Sequence, residues 1–267
     1  MVQVKALSGR QLIRPKALLL DFGGVIVQTT PIPGWEVKLA VHVRTLLGAS
    51  AQLDTESIAA DIKAGCVADS HWKNAMSRPL SPRELSHGEF WGDFVAADWP
   101  AWARSIVIKE AHALCCLMGR LRSHRELRDG MLALLDAADA ARVPVGIVSN
   151  ALAGQVHRDF LEERGLTRRF AAEVHSDAVG VRKPNPEMIL IAARRLGVEP
   201  VDAWYIGDNF DRDVLCGQRA GIGGNILMEA SGTYDMPYQL TLKPDAIVAN
   251  PRELLRLFEQ AACGLVA

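Results

Sequence analysis

The run Lys16-Ala-Leu-Leu-Leu-Asp21-Phe-Gly-Gly-Val-Ile-Val27 constrains this chain more than any other stretch. A short, wholly apolar run reads as a buried strand of a parallel sheet, because such strands are covered on both faces. Asp21 ends that strand, where the ligand crevice of an open α/β sheet lies. Gly23 and Gly24 permit a tight turn and close approach of backbone to a ligand. An aspartate at a strand end is commonly a turn or capping residue, so its chemistry is read together with the polar strand ends downstream.

From residue 126 onward, helix and strand patterns alternate. Residues 125–141 have apolar positions at helical spacing. Strands are expected over 143–148, 170–175, 203–206, 225–228 and 246–248. Helices are expected up to Arg164, from Asn185 to Gly197, over 211–220 and from Pro251 on. This alternation predicts a Rossmann-like parallel sheet between two helical layers, a three-layer α/β/α core. Residues 30–118 lack strand-like alternation and hold five of the six tryptophans. Helices are expected there over 36–48, 54–65, 81–97 and 100–118, the third started by Ser81-Pro82-Arg83-Glu84. The chain therefore divides into an α/β core, 1–29 with 119–267, and an inserted helical cap, 30–118.

Composition excludes several function classes. The 267 residues carry 30 Lys and Arg against 31 Asp and Glu, so no basic surplus calls for nucleic acid. No apolar run is long enough to span a membrane, and residues 1–14 lack the apolar core of a signal peptide. The five cysteines show no CxxC spacing, so neither a zinc site nor a disulfide framework is expected; a reducing cytoplasm fits. No pattern speaks to oligomeric state.

Three expected strands end in polar residues: Asp21, Ser149-Asn150, and Gly207-Asp208-Asn209. A parallel sheet brings these ends to one edge. Asp21 and Asp208 would repel there unless a hard cation such as Mg²⁺ joined them. Ser149 and the backbone N–H groups after it suit a phosphate. Lys183, on the loop before a helix, is a point charge able to pair with both phosphate and Asp21.

In these residues the chain resembles the haloacid dehalogenase superfamily, mostly phosphatases, in its branch with an α-helical cap after the first motif. Leu-Leu-Leu-Asp21-Phe-Gly-Gly-Val, Gly-Ile-Val-Ser149-Asn, Gly180-Val-Arg-Lys183-Pro-Asn-Pro and Tyr-Ile-Gly-Asp208-Asn-Phe-Asp-Arg-Asp213-Val look like its four motifs in order. The resemblance implies a phosphatase of a small phosphorylated metabolite. Asp21 would be the nucleophile, forming an aspartyl-phosphate. Mg²⁺ would be held by Asp21, the Gly23 carbonyl and Asp208, with Asp213 orienting its water or helping to ligate. Ser149, Asn150 and Lys183 would hold the phosphate, and Lys183 would also neutralise the nucleophile.

One position departs from the pattern. Where most of these phosphatases have a second Asp as general acid, this chain has Gly23. General acid catalysis typically contributes about 10²–10⁴-fold, so esters with good leaving groups should react best. His42, His71 or His87 of the cap could supply a proton instead. Trp72, Trp91, Lys73 and Arg78 are read first as packing and solvated surface, and second as pocket lining. Two other readings stand beside the phosphatase: a non-catalytic or phosphate-sensing relative, which Gly23 favours, and a 2-haloacid dehalogenase, which Gly207-Asp208-Asn209 disfavours.

Overall fold

A computed structural model describes residues 5–6, 12–48, 53–235 and 241–262. Its strands are β1 (Lys5–Ala6), β2 (Ala17–Leu20), β3 (Val27–Pro31), β4 (Ser123–Leu127), β5 (Val145–Ser149), β6 (Ala172–His175), β7 (Ala203–Gly207), β8 (Gly224–Met228) and β9 (Ala246–Val248). Seven of them form one sheet in the order β1-β9-β8-β7-β2-β5-β6. Every pairing is parallel except that of β1 with β9. The expected α/β architecture is therefore observed, with β1 as an added antiparallel edge.

Strand β2 is buried at all four positions because its leucines alternate between two apolar layers. Leu18 and Leu20 pack with Met131, Leu134 and Phe258 on one face, and Leu19 packs with Met188, Ile189 and Ala192 on the other. Burying each leucine contributes about 1.5–3 kcal/mol. From β2 the chain winds outward through β5 and β6, then crosses to the other side through β7, β8 and β9. The reversal falls between β2 and β7, the topological switch point where a crevice opens. Asp21 follows β2 and Asp208 follows β7.

The helices over residues 35–122 share an apolar cluster of their own, including Leu39, Ile62, Trp91 and Leu114, joined by Ala153 and Val156 from beyond β5. The two chain crossings into this layer pair as an antiparallel ribbon, β3 with β4, from Val27↔Leu127 to Pro31↔Ser123. No helix of the described residues is long and apolar enough to cross a membrane.

Four sequence expectations are corrected. Residues 123–127 are strand β4, and the helix expected from 125 is Met131–Ala140; pairing with β3 claims the backbone groups that a helix would use. Ser81 does not start a helix: Arg83 bridges Val181, and the Glu84 N–H donates to the Gly180 carbonyl at 2.9 Å. The helical turn begins instead at His87, where Ser86 and Glu89 form a capping box, and continues as the wider turns of Phe90–Val95. The second helix after β3 runs on to Met76, its N-terminus closed by Asp54 accepting from the Ser57 N–H. Residues Phe210–Val214 form a wide turn ahead of helix Leu215–Ala220, since the Asn209 carbonyl accepts from both Asp213 and Val214. Cys66, Cys115, Cys116 and Cys216 are free thiols; Cys263 lies outside the described residues.

Candidate active site

Asp21, Lys183, Asp208 and Asp213 converge at the carboxyl edge of the sheet. Oxygens of the three aspartates lie within 4.8 Å of one another. Lys183 Nζ stands 2.9 Å from Asp21 Oδ1 and 2.6 Å from Asp213 Oδ1. It also donates to the Val148 carbonyl (3.1 Å) and the Tyr205 hydroxyl (2.9 Å). A cavity of about 310 Å³ opens here, lined by Asp21, Asn150, Lys183, Asp208, Arg212 and Ser231 among others.

Each group is placed by a local cause. The Phe22 N–H donates to Asp21 Oδ1 at 2.7 Å, so both contacts of that carboxylate fall on one oxygen. Gly24 has φ +75°, and a Cβ there would lie 2.2 Å from Asp208 Oδ2. Only a glycine lets the loop after β2 close on that carboxylate. The Arg128 guanidinium holds the same loop through the Gly24 carbonyl, and reaches the Glu229 and Ala249 carbonyls at 3.0 and 2.9 Å. Asn150 clamps Lys183 from both sides: its Oδ1 accepts from the Lys183 N–H (2.8 Å), and its Nδ2 donates to the Lys183 carbonyl (3.1 Å).

Asp213 is saturated. Its Oδ1 accepts from Lys183 and from the Tyr205 hydroxyl at 2.6 Å; its Oδ2 accepts from the Asp208 and Asn209 N–H groups at 3.2 and 3.0 Å. It thus holds the loop after β7 against the buried lysine. Asp208 has no such partners among the described residues.

The charges do not balance. Burial alone would lower the Lys183 ammonium, but the facing Asp21 and Asp213 carboxylates outweigh it and hold it above the ordinary lysine range. Burial also pushes Asp213 up, and Lys183 and Tyr205 bring it below the usual carboxylate value. Asp21 is raised by burial in spite of Lys183. Asp208 is pushed up to about 8 by burial, then by Asp213 and Asp21. Three carboxylates share one buried ammonium, and the two least satisfied sit on either side of the switch point. That is the donor set a hard divalent cation takes: carboxylate oxygens with room left for water and phosphate.

Of the other expected residues, Gly23 lines a neighbouring cavity of about 570 Å³ together with Gly24, Arg128 and Asp208. Ser149 is buried at the end of β5 and is not among the residues lining the cavity at Asp21. His42 and His71 are exposed, and His87 lies against His112 and Asp177; none of the three lines the cavity at Asp21. A histidine not singled out from the sequence, His157, stacks its ring on Phe22 at 3.9 Å. Of Trp72, Trp91, Lys73 and Arg78, Lys73 lines a cavity, Trp91 is fully buried, and Trp72 lies beneath the Arg83 and Arg182 guanidinium groups.

Sequence reasoning missed Tyr205, Arg212, His157 and the pair Glu84–Arg182. Glu84, from the helical layer, joins Arg182 and the Ser176 hydroxyl; Ser176 Oγ in turn accepts from the Ala151 N–H at 2.9 Å. One local signal was available: Arg182 adjoins Lys183 in a loop read as part of the site.

Comparison with known proteins bears on this arrangement. The family model of haloacid dehalogenase-like hydrolases matches residues 15–221. A glyceraldehyde 3-phosphate phosphatase of Methanopyrus kandleri is 38% identical over 99 residues, 37% of this chain and 42% of that protein. A phosphoglycolate phosphatase of Xylella fastidiosa is 33% identical over 129 residues, 48% of this chain and 55% of that protein. The chain thus spans about half the length of these curated relatives. Among solved structures, a HAD phosphatase from Thermococcus onnurineus has TM-score 0.57 at 18% identity, covering 90% of this chain and 96% of that one. A 2-haloacid dehalogenase from Pseudomonas syringae has TM-score 0.58 at 17% identity, covering 92% and 99%. At such identities these likenesses show a shared fold.

Proposed function

This chain belongs to the haloacid dehalogenase-like hydrolases, and from that premise we propose that it is a Mg²⁺-dependent phosphatase of a small phosphorylated metabolite. The observation that carries the reading is the contact of Asp21 with Lys183 at 2.9 Å, beside an Asp208 carboxylate with no ion-pair partner among the described residues. Asp21 and Asp208, with the Gly23 carbonyl, would hold the cation; Asp213 acts from behind, through Lys183 and the loop it fixes. The cation, when bound, stabilises charge on the phosphoryl oxygens.

The chain's own residues account for the rest. Asp21 attacks phosphorus through the carboxylate oxygen that Lys183 and Phe22 leave free. A P–O bond forms to Asp21, and the ester P–O bond breaks with its electron pair leaving on the alcohol oxygen. Water then cleaves the aspartyl-phosphate, releasing phosphate and restoring the carboxylate. Lys183 holds positive charge against the nucleophile and the phosphoryl group, while Asn150, which lines the cavity with it, fixes Lys183 on the phosphate side. Positioning and charge stabilisation of this kind carry most phosphoryl-transfer catalysis. Residues 30–118 serve as the cap that closes the site from water. A reducing cytoplasm accords with the four free thiols.

The test is phosphate release from a panel of aryl, sugar and alkyl phosphates with Mg²⁺, using Asp21→Asn as the blank. Turnover abolished by that substitution and by a chelator is expected. Its absence on every ester would favour the non-catalytic reading that Gly23 suggests. Halide release from a 2-haloacid without Mg²⁺ would favour the dehalogenase.

A further inference from the structure

A second cavity, of about 560 Å³, adjoins the candidate site and shares Asn150 with it. It lies between the helical layer and the strand ends, with Trp35, Met118 and Val156 on its walls. Three cations line it, Lys73, Arg122 and Arg125, and no carboxylate does, although the chain carries slightly more acidic than basic residues. Lys73 is already matched by Asp69 at 2.5 Å. Arg122 and Arg125 have no carboxylate partner among the described residues. Arg122 lies over the Trp35 ring at 6.0 Å, and the Arg125 guanidinium donates to the Ser123 carbonyl at 3.3 Å. Burial, and then the neighbouring Arg122, lower the Arg125 guanidinium, as in a site short of negative charge. Both arginines sit on firm elements: Arg122 ends the helix Ala111–Arg122, and Arg125 is on β4 opposite Thr29.

We propose that the substrate carries a second anionic group, a carboxylate or a further phosphoryl group, which Arg122 and Arg125 bind while the reacting phosphate lies against Lys183. This rests on the phosphatase reading. Guanidinium forks match the planar oxygen pairs of either anion. The cavity volume suits a small metabolite, with its apolar walls along the carbon chain between the two charges.

The test uses three esters of equal chain length: a plain alkyl phosphate, one ending in a carboxylate and one ending in a second phosphate. kcat/KM is measured on the wild type, Arg122→Gln, Arg125→Gln and the double variant. Calorimetry gives Kd for the same esters on Asp21→Asn protein with Mg²⁺. The two-anion esters are expected to be favoured by about 10- to 100-fold, the range for losing a charged hydrogen bond. The double variant should lose most of that ratio, chiefly through KM. The ranking of carboxylate against phosphate names the anion. Equal constants for all three esters, or an equal loss on all three in the double variant, would overturn the inference. If no ester turns over but calorimetry keeps the preference, the phosphatase reading fails and the anion site stands. Arg125→Lys keeps the charge without the fork, and reports the ratio should the double variant fail to fold.

Discussion

Glu84 Oε1 and Arg182 Nη1 meet at 2.7 Å in an ion pair that is almost wholly sealed from solvent. The same carboxylate oxygen accepts the Leu85 N–H at 2.8 Å, and the other holds the Ser176 hydroxyl. A residue of the helical layer therefore braces the loop that carries Lys183 and the backbone just after β5. Removing one partner leaves a buried charge alone, which costs about 3–5 kcal/mol. Glu84→Ala should lose that much in urea unfolding, and Glu84→Leu combined with Arg182→Met should recover much of it. A neutral Glu84→Ala would show that the pair braces nothing.

Tyr205 stands between the ammonium of Lys183 and the carboxylate of Asp213, accepting from one and donating to the other. Tyr205→Phe keeps the ring in its packed place and removes the hydroxyl. Lys183 then retains Asp21, Asp213 and Val148, so the stability loss should be about 1 kcal/mol. Its aim at Asp21 is no longer fixed, and kcat should fall by about tenfold, equivalent to about 1.4 kcal/mol, with KM little changed. An unaltered kcat would mean that the three charges align without the hydroxyl.

Mg²⁺ should stabilise the protein in proportion to its binding, by about 2.7 kcal/mol at a hundred times Kd. Asp208→Asn should abolish that gain in a thermal melt. Gly24→Ala should do so as well, because its methyl group would overlap the Asp208 carboxylate. A Mg²⁺-dependent rise in Tm that survives both changes would remove Asp208 from the cation site.

Burial, and after it the neighbouring His175, hold His157 well below the usual histidine value. The folded state thus favours the neutral ring, whereas the unfolded chain takes up a proton near pH 6.5. Stability from this group is complete above that value and falls as the pH drops below it. The slope is at most about 1.4 kcal/mol per pH unit. His157→Phe can keep the stack on Phe22 and should flatten unfolding free energy between pH 6.5 and 5. An unchanged slope would place the titration elsewhere.

Gly23 has no proton to give a departing alcohol. Aryl and anomeric phosphates should therefore turn over faster than simple alkyl phosphates of like charge. A steep dependence of log kcat on leaving-group pKa is the expected result. A flat dependence with chemistry rate-limiting would mean that another group supplies the proton.

The strand ends were legible because each is an apolar run stopping at a polar residue, and a parallel sheet leaves such ends one place to go. Asp21 and Asp208 were found that way and Lys183 as the cation of a loop before a helix, and the three do meet. The β3–β4 ribbon was not legible: Val27–Pro31 is exposed after its first residue, and Ser123–Leu127 is polar at its first four positions without a strong β-former. Its pairing is set by contacts roughly a hundred residues apart in sequence, to which local propensity is blind. Ser81-Pro82-Arg83-Glu84 has the composition of a helix start, but tertiary bonds to residues 180–182 claim its backbone and its carboxylate. Tyr205 escaped notice because an apolar strand was sufficient reason for it, and its hydroxyl matters only once Asp213 folds back beneath it.

Because Pro31 pairs with Ser123, the chain leaves the two-stranded ribbon and rejoins it at a single point. The spacing of the strand ends that carry Asp21, Ser149 and Asp208 is set within the seven-stranded sheet, by the pairing of β2 with β5 and with β7. The residues after β5 and β6 do lean on the insert: Ala153 and Val156 share its apolar cluster, and Arg182 takes its counter-charge from Glu84. A transplanted insert would need to bring a carboxylate of its own to that arginine. Grafts that do not should show at least the deficit of Glu84→Ala in the same urea titration.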